Sequence, residues 1–193
     1  MSGASEENRA VAKAAAEAFG GRPKVTRFRD DAGSSSVDLL ECADRPTPGV
    51  TSCSTLGLSD HPLVQDGAEY PARLEIVGAS ATDNELFGNV ITSAAFAIIN
   101  DQLFCCPGAV FPGLVEHYYP DLTTKHLFFV PPFLWQDELP TMRLATKTVA
   151  WLLAVPITDA EAAYAGQHGA EALEDLFERA QIDLFDLDRD SAA

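Results

Sequence analysis

Two sets of cysteines and one group of carboxylates are the residues of this 193-residue chain whose types could do chemistry. Cys53 sits in the stretch Val50–Asp60, V-T-S-C-S-T-L-G-L-S-D, just ahead of His61. A thiolate nucleophile needs a base within about 3 Å and a place for an oxyanion. Strand geometry would allow Cys53 to face a pocket with Asp60 and His61 close in sequence, although small thiols more often serve as buried packing. Cys105-Cys106 with His117 or His126 offers sulfur and nitrogen ligands. Adjacent cysteines seldom share one zinc ion, and the spacing matches no zinc pattern, so packed thiols are the expectation. Glu161, Glu171, Glu174 and Asp175 fall on expected helices, and Glu171 and Asp175, four apart, share a face. No His or Asp constellation accompanies them, which makes that face a solvated or docking surface. G-x-G-x-x-G and P-loop motifs are absent, so nucleotide binding is not expected. These residues form no enzyme signature, and no cofactor or metal is expected.

Charge narrows the partners. Against 13 Lys and Arg stand 29 Asp and Glu, a formal charge of −16. Such a chain repels phosphate backbones and anionic membranes and draws cationic proteins. Neither a nucleic acid nor a membrane partner is expected. An apolar content of 47% suffices for a packed core. The N-terminal M-S-G-A-S-E-E-N-R is polar, and no apolar run approaches the ~18 residues that span a bilayer. A cytoplasmic protein with free thiols is expected.

The elements that must position these residues follow from periodicity. Val11, Ala14, Ala15, Ala18 and Phe19 make a helical stripe over about 5–19, closed by Gly20-Gly21 and expected to be peripheral. Strands are predicted at Pro23–Arg29, on residue type rather than alternation, then at Ser36–Ala43, Val50 onward, and Arg73–Gly78. The sequence Thr82-Asp83-Asn84-Glu85 reads as a capping box opening a helix striped by Leu86, Phe87, Val90, Ile91, Ala94, Ala95, Ile98 and Ile99. Leu103–Pro120 reads as a long packed loop, with its aromatic residues continuing through Phe128, Phe129, Phe133 and Trp135. Most of these aromatics should be core, with a few left as an exposed anchor patch. Lys125–Val130 and Ala145–Val155 are further strands, the second apolar enough to be central and covered on both faces. Thr158-Asp159-Ala160-Glu161 is a second capping box, and two short helices break at Gln167-His168-Gly169. Ile182–Asp188 is predicted as a possible edge strand. The order implies one α+β domain, core about 25–190, with helices packed on a mixed or antiparallel sheet.

Three blocks together resemble the suppressor-of-fused domain. They are S-T-L-G-L-S-D (54–60) with R-L-E-I-V; F-C-C-P-G (104–108) with H-L-F-F-V-P-P; and V-A-W-L-L-A-V-P-I-T-D-A-E (149–161) with Y-x-x-Q-H-G-x-E-A-L (164–173) and D-L-D-R (186–189). The resemblance spans roughly residues 25–190. It implies an α+β domain without known catalysis. An animal relative with a second domain restrains a transcription factor by clamping an extended peptide as an added strand. Bacterial single-domain relatives are associated with polymorphic-toxin loci as immunity proteins, and this chain's length matches that type. The animal relative carries an acidic residue just after the cysteine of the second block. Cys105-Cys106-Pro107-Gly108-Ala109 has none, and neither does Val130-Pro131-Pro132, so no peptide-binding residue is carried over.

The expected function is therefore protein binding without catalysis, masking a basic toxin domain. The partner surface is expected at Phe111, His117, Tyr118 and Tyr119 in the long loop and at Glu171, Glu174 and Asp175 on the last helix. The alternatives are an adaptor that sequesters an endogenous protein and a Cys53-dependent enzyme.

Overall fold

The computed structural model describes residues 5–135 and 137–193. Ser5, whose side chain accepts the Asn8 amide, opens α1 (Glu6–Phe19). Then come β1 (Lys24–Arg29), β2 (Ser36–Ala43), β3 (Val50–Leu56), a 3-10 turn (Leu58–Asp60), the small hairpin β4 (Val64–Gln65) and β5 (Ala68–Glu69), and β6 (Arg73–Ala81). α2 (Phe87–Asp101) follows, then β7 (Val110–Phe111), β8 (His126–Val130), β9 (Met142–Arg143), β10 (Thr148–Ile157), α3 (Asp159–His168) and α4 (Ala170–Ala180).

The main sheet runs β1-β2-β3-β6-β10-β8-β7, with β9 also paired to β10. β6 and β10 are parallel, and the other pairs are antiparallel. β6 is the middle strand of this order with β10 beside it, and both are buried over nearly their whole length. Both faces being covered is what their apolar runs demand. Side chains alternate between two cores. Leu39, Ile76, Leu127, Phe129 and Leu152 meet Val90, Ile91 and Ala94 of α2 on one face. Leu40, Val77, Phe128, Trp151 and Leu153 meet α1 and Leu173 of α4 on the other. Each fully buried Phe or Ile contributes about 1.5–3 kcal/mol of transfer free energy.

α1, expected at the periphery, buries Val11, Ala15 and Phe19 in the second core; its alanines let it lie close to β2 and β3. At Gly78 the sheet admits α2 to close range, since a Cβ there would sit 3.0 Å from both Ile91 Cδ1 and Phe87 Cε1.

Three sequence expectations are corrected. The capping box at Thr82 does not form. β6 continues to Ala81, the Thr82 hydroxyl pairs with that of Thr51 at 3.0 Å, and α2 begins only at Phe87 without a side-chain cap from its own sequence. Tyr119 replaces it from the long loop, its hydroxyl accepting the Leu86 amide at 2.7 Å. The segment 182–188 is not a strand. It is irregular, held where Phe185 O accepts the Ala81 amide and Leu187 O accepts the Thr124 amide. Glu161 is not part of an acidic surface, because it is fully buried. The Thr158/Glu161 capping box does form, and the same carboxylate reaches Arg189.

Candidate functional site

The residues with chemical potential are placed first by burial. Cys53 is in the α2-side core with its thiol directed to Gly78 O at 3.5 Å. Burial, with a smaller contribution from the nearby Glu41 carboxylate, pushes its thiol far above the ordinary range. His61 instead lines a cleft beside α1. Asp60 is held by Lys147 at 2.7 Å and by Asn8 at 2.6 Å. The sequence neighbours that could have formed a nucleophile with its base therefore lie apart. Cys105 is buried and its thiol is likewise pushed up; Cys106 is half-buried. His126 accepts the Gly113 amide at Nδ1 (2.9 Å), so Nε2 carries the proton and donates to Asp159 at 3.0 Å. Among the described residues no group of three or more His, Cys, Asp or Glu side chains is placed to hold a metal ion. No described helix is long and apolar enough to cross a membrane.

Two of the surface grooves carry residues expected to face a partner. On the α2 side, His117 and Tyr118 line a groove of about 540 Å³ together with Phe28, Asn89, Phe96 and Asn100. Tyr118 is fixed there by Ser93, hydroxyl to hydroxyl at 2.7 Å, and His117 stands edge-on to its ring. Asp30 lines it too. Its carboxylate, hydrogen-bonded to the Ser35 amide, Ser34 and Asn100, is held below the usual range by those bonds.

The second groove, about 570 Å³, runs between α4 and the ends of β8 and β10. Val130 and Val155 floor it, and Phe133, Phe177, Ile182 and Leu184 wall it. Glu174, Asp175 and Glu178 form its acidic rim, and no Lys or Arg lines it. Phe133 keeps 47% of its surface exposed, unusual for a Phe beside a core. The Glu174 carboxyl is raised by partial burial and then by the adjacent charges of Glu171 and Asp175. Glu178 lies in the last turn, where the helix dipole disfavours an acid.

The seven residues expected to face a partner thus do not form one surface. Phe111 is a correction: at 5% exposure it packs edge-on against Phe129 in the core. Tyr119 is half-buried, its hydroxyl engaged by α2. His117 and Tyr118 line the groove on one face of the sheet. Glu174 and Asp175 rim the groove on the other, with Glu171 exposed beside them. No spacing in the sequence marks the apolar walls of the α4 groove. The one signal was Phe133, included in the aromatic cluster and directly after the Pro-Pro that ends β8.

A model of the suppressor of fused protein family matches residues 33–190, most of the chain. The chain belongs to the suppressor-of-fused family. Within it, the immunity protein YqcF of Bacillus subtilis is 43% identical over 189 residues, covering 98% of each chain. A suppressor-of-fused homolog from Neisseria gonorrhoeae superposes with a TM-score of 0.74 at 17% identity, over 96% of both chains. A chain of the Sufu-Fu complex gives 0.68 at 12% identity, covering 95% of this chain and 91% of that one. At those identities the two structures establish the shared suppressor-of-fused fold.

Proposed function

We propose that this chain is an immunity protein that binds a toxin domain and masks it without catalysis, acting in the cytoplasm. The observation that carries the reading is the 43% identity to immunity protein YqcF along essentially the whole of both chains. Two physical features support it. Cys53 and Cys105 are buried and His126 is paired with Asp159, while the grooves beside α2 and α4 are open at the surface. A formal charge of −16 favours a basic partner, because opposite fields accelerate encounter and raise the on-rate.

The test is recovery of partners from the source organism on immobilised protein, washed at low and then high salt. A basic toxin domain released by salt, and blocked at equimolar ratio by this protein, is the expected result. Recovery of an endogenous regulator overturns the immunity reading in favour of an adaptor. Absence of any retained protein, with Cys53-dependent turnover of a small substrate, overturns binding altogether.

A further inference from the structure

The α4 groove has two properties that rarely coincide by chance on a surface. Its floor and walls are apolar and partly open, with Phe133 half exposed at the mouth. Its rim carries Glu174, Asp175 and Glu178 without a cation among the lining residues. Apolar centre and charged rim is the anatomy of a protein interface, in which the centre supplies affinity and the rim supplies register and steering. Three carboxylates on neighbouring turns of one helix also repel each other; the Glu174 carboxyl is raised first by partial burial and then by the charges of Glu171 and Asp175. A cation arriving on the rim removes the repulsion as well as adding attraction. A second copy of this chain is a poor occupant, because it would bring another −16 to an acidic rim.

We propose that the α4 groove is the seat of a basic amphipathic segment of a partner protein. An apolar side chain of that segment enters between Phe133 and Phe177, and flanking Lys or Arg residues pair with Glu174, Asp175 and Glu178. The inference rests on the protein-binding reading above and deepens it by naming the surface and the chemistry of its occupant.

The probes are two designed helical peptides of about 14 residues, one with Lys and one with Glu on the polar face, both with Leu at i, i+3, i+4 and i+7. Binding is read by amide chemical shifts of the intact protein. The expected result is saturable binding of the Lys/Leu peptide alone, with shifts centred on Val130, Phe133, Phe177 and Ile182. Phe133→Ser and, separately, Glu174→Gln/Asp175→Asn/Glu178→Gln should each weaken it about tenfold, the loss of one buried anchor or one set of rim pairs. Glu6→Gln/Glu17→Gln, on the exposed face of α1, is the charge control and should change little. Phe133 is exposed enough for its variant to keep the wild-type melting curve, which is checked alongside. Shifts scattered over the acidic surface, or full binding by Phe133→Ser, overturn the groove. A second arm separates this inference from the immunity reading. If the groove variants lose the peptide yet neutralise a toxin domain as well as wild type, the groove is overturned as the partner's seat and immunity stands. If the wild type seats the peptide in the groove but neutralises no toxin, the groove chemistry is supported and the immunity reading fails.

Discussion

The carboxylate of Glu161 and the guanidinium of Arg189 meet inside the protein as a two-point pair, Oε1 to Nη1 at 2.6 Å and Oε2 to Nη2 at 2.8 Å. Neither side chain is more than 6% exposed. Glu161 also accepts the amides of Thr158 and Ala192, so one carboxylate closes the start of α3 and anchors the chain's last residues. Removing one partner strands the other charge without water. Arg189→Met is expected to cost about 3–5 kcal/mol in urea unfolding, and Glu161→Gln/Arg189→Met together less than that. Burial raises the Glu161 carboxyl, but Arg189 and the backbone donors outweigh it and hold the group below its ordinary 4.5. Its contribution is present above pH 4.5 and is lost as pH falls through the lower folded value.

Glu75 behaves in the opposite sense. It is fully buried on β6, where Oε2 accepts the Thr55 hydroxyl at 2.6 Å and Oε1 accepts the amides of Gly57 (3.0 Å) and Ser59 (3.1 Å). Burial outweighs these bonds and lifts its carboxyl to about 6 from 4.5. The folded protein therefore holds this proton where the unfolded chain has released it. The associated stability is complete below pH 4.5 and is lost as pH rises through 6, a change on the order of 2 kcal/mol. In Glu75→Gln, urea midpoints between pH 4.5 and 7 should lose that slope. Glu75→Leu orphans two amides and should destabilise at every pH by about 2–6 kcal/mol, at 1–3 per unsatisfied group.

Tyr119→Phe removes the hydroxyl that accepts the Leu86 amide. A cap lost from outside the helix should cost what one lost from inside it does, about 1 kcal/mol. Hydrogen exchange should quicken at the first turn of α2 and stay unchanged in β6 and β10. Equal quickening across the sheet would contradict a purely local cap.

Cys106 is half-buried, whereas Cys42, Cys53 and Cys105 are buried. Native protein titrated with a thiol reagent near neutral pH should show one fast cysteine, absent in Cys106→Ser, and three that react only on unfolding. A fast Cys53 would revive the nucleophile reading; a Cys53→Ser variant is expected to bind its partner normally.

Strands and helices were legible where one local signal ruled. The unbroken apolar run at the end of β10 announced its central place, and the Thr158/Glu161 box formed as spelled. The failures share one cause, contacts made across the fold. Thr82 looks like a cap until β6 carries it beside Thr51, and Ile182 and Leu184, two apart, suggest a strand where the chain is irregular. The α4 groove was half legible. Glu174 and Asp175 share a helix and could be picked out, but Phe133 joins them only because α4 lies over the end of β8. No spacing in the sequence relates residues 133 and 177.

The parallel pair at the middle of the sheet sets Val149 beside Arg73. On a ribosome, β1, β2, β3 and β6 emerge as an antiparallel run of neighbours able to assemble as they appear. The other side of β6 has no strand to receive it until β10 has left the exit tunnel. Until then the unpaired backbone along that side of β6 is an open edge, the kind of surface that draws chaperones or other chains. Closing so long a loop is also slow. Full protection of the β6 amides should therefore be among the last events of folding, arriving only when the two halves of the chain have met.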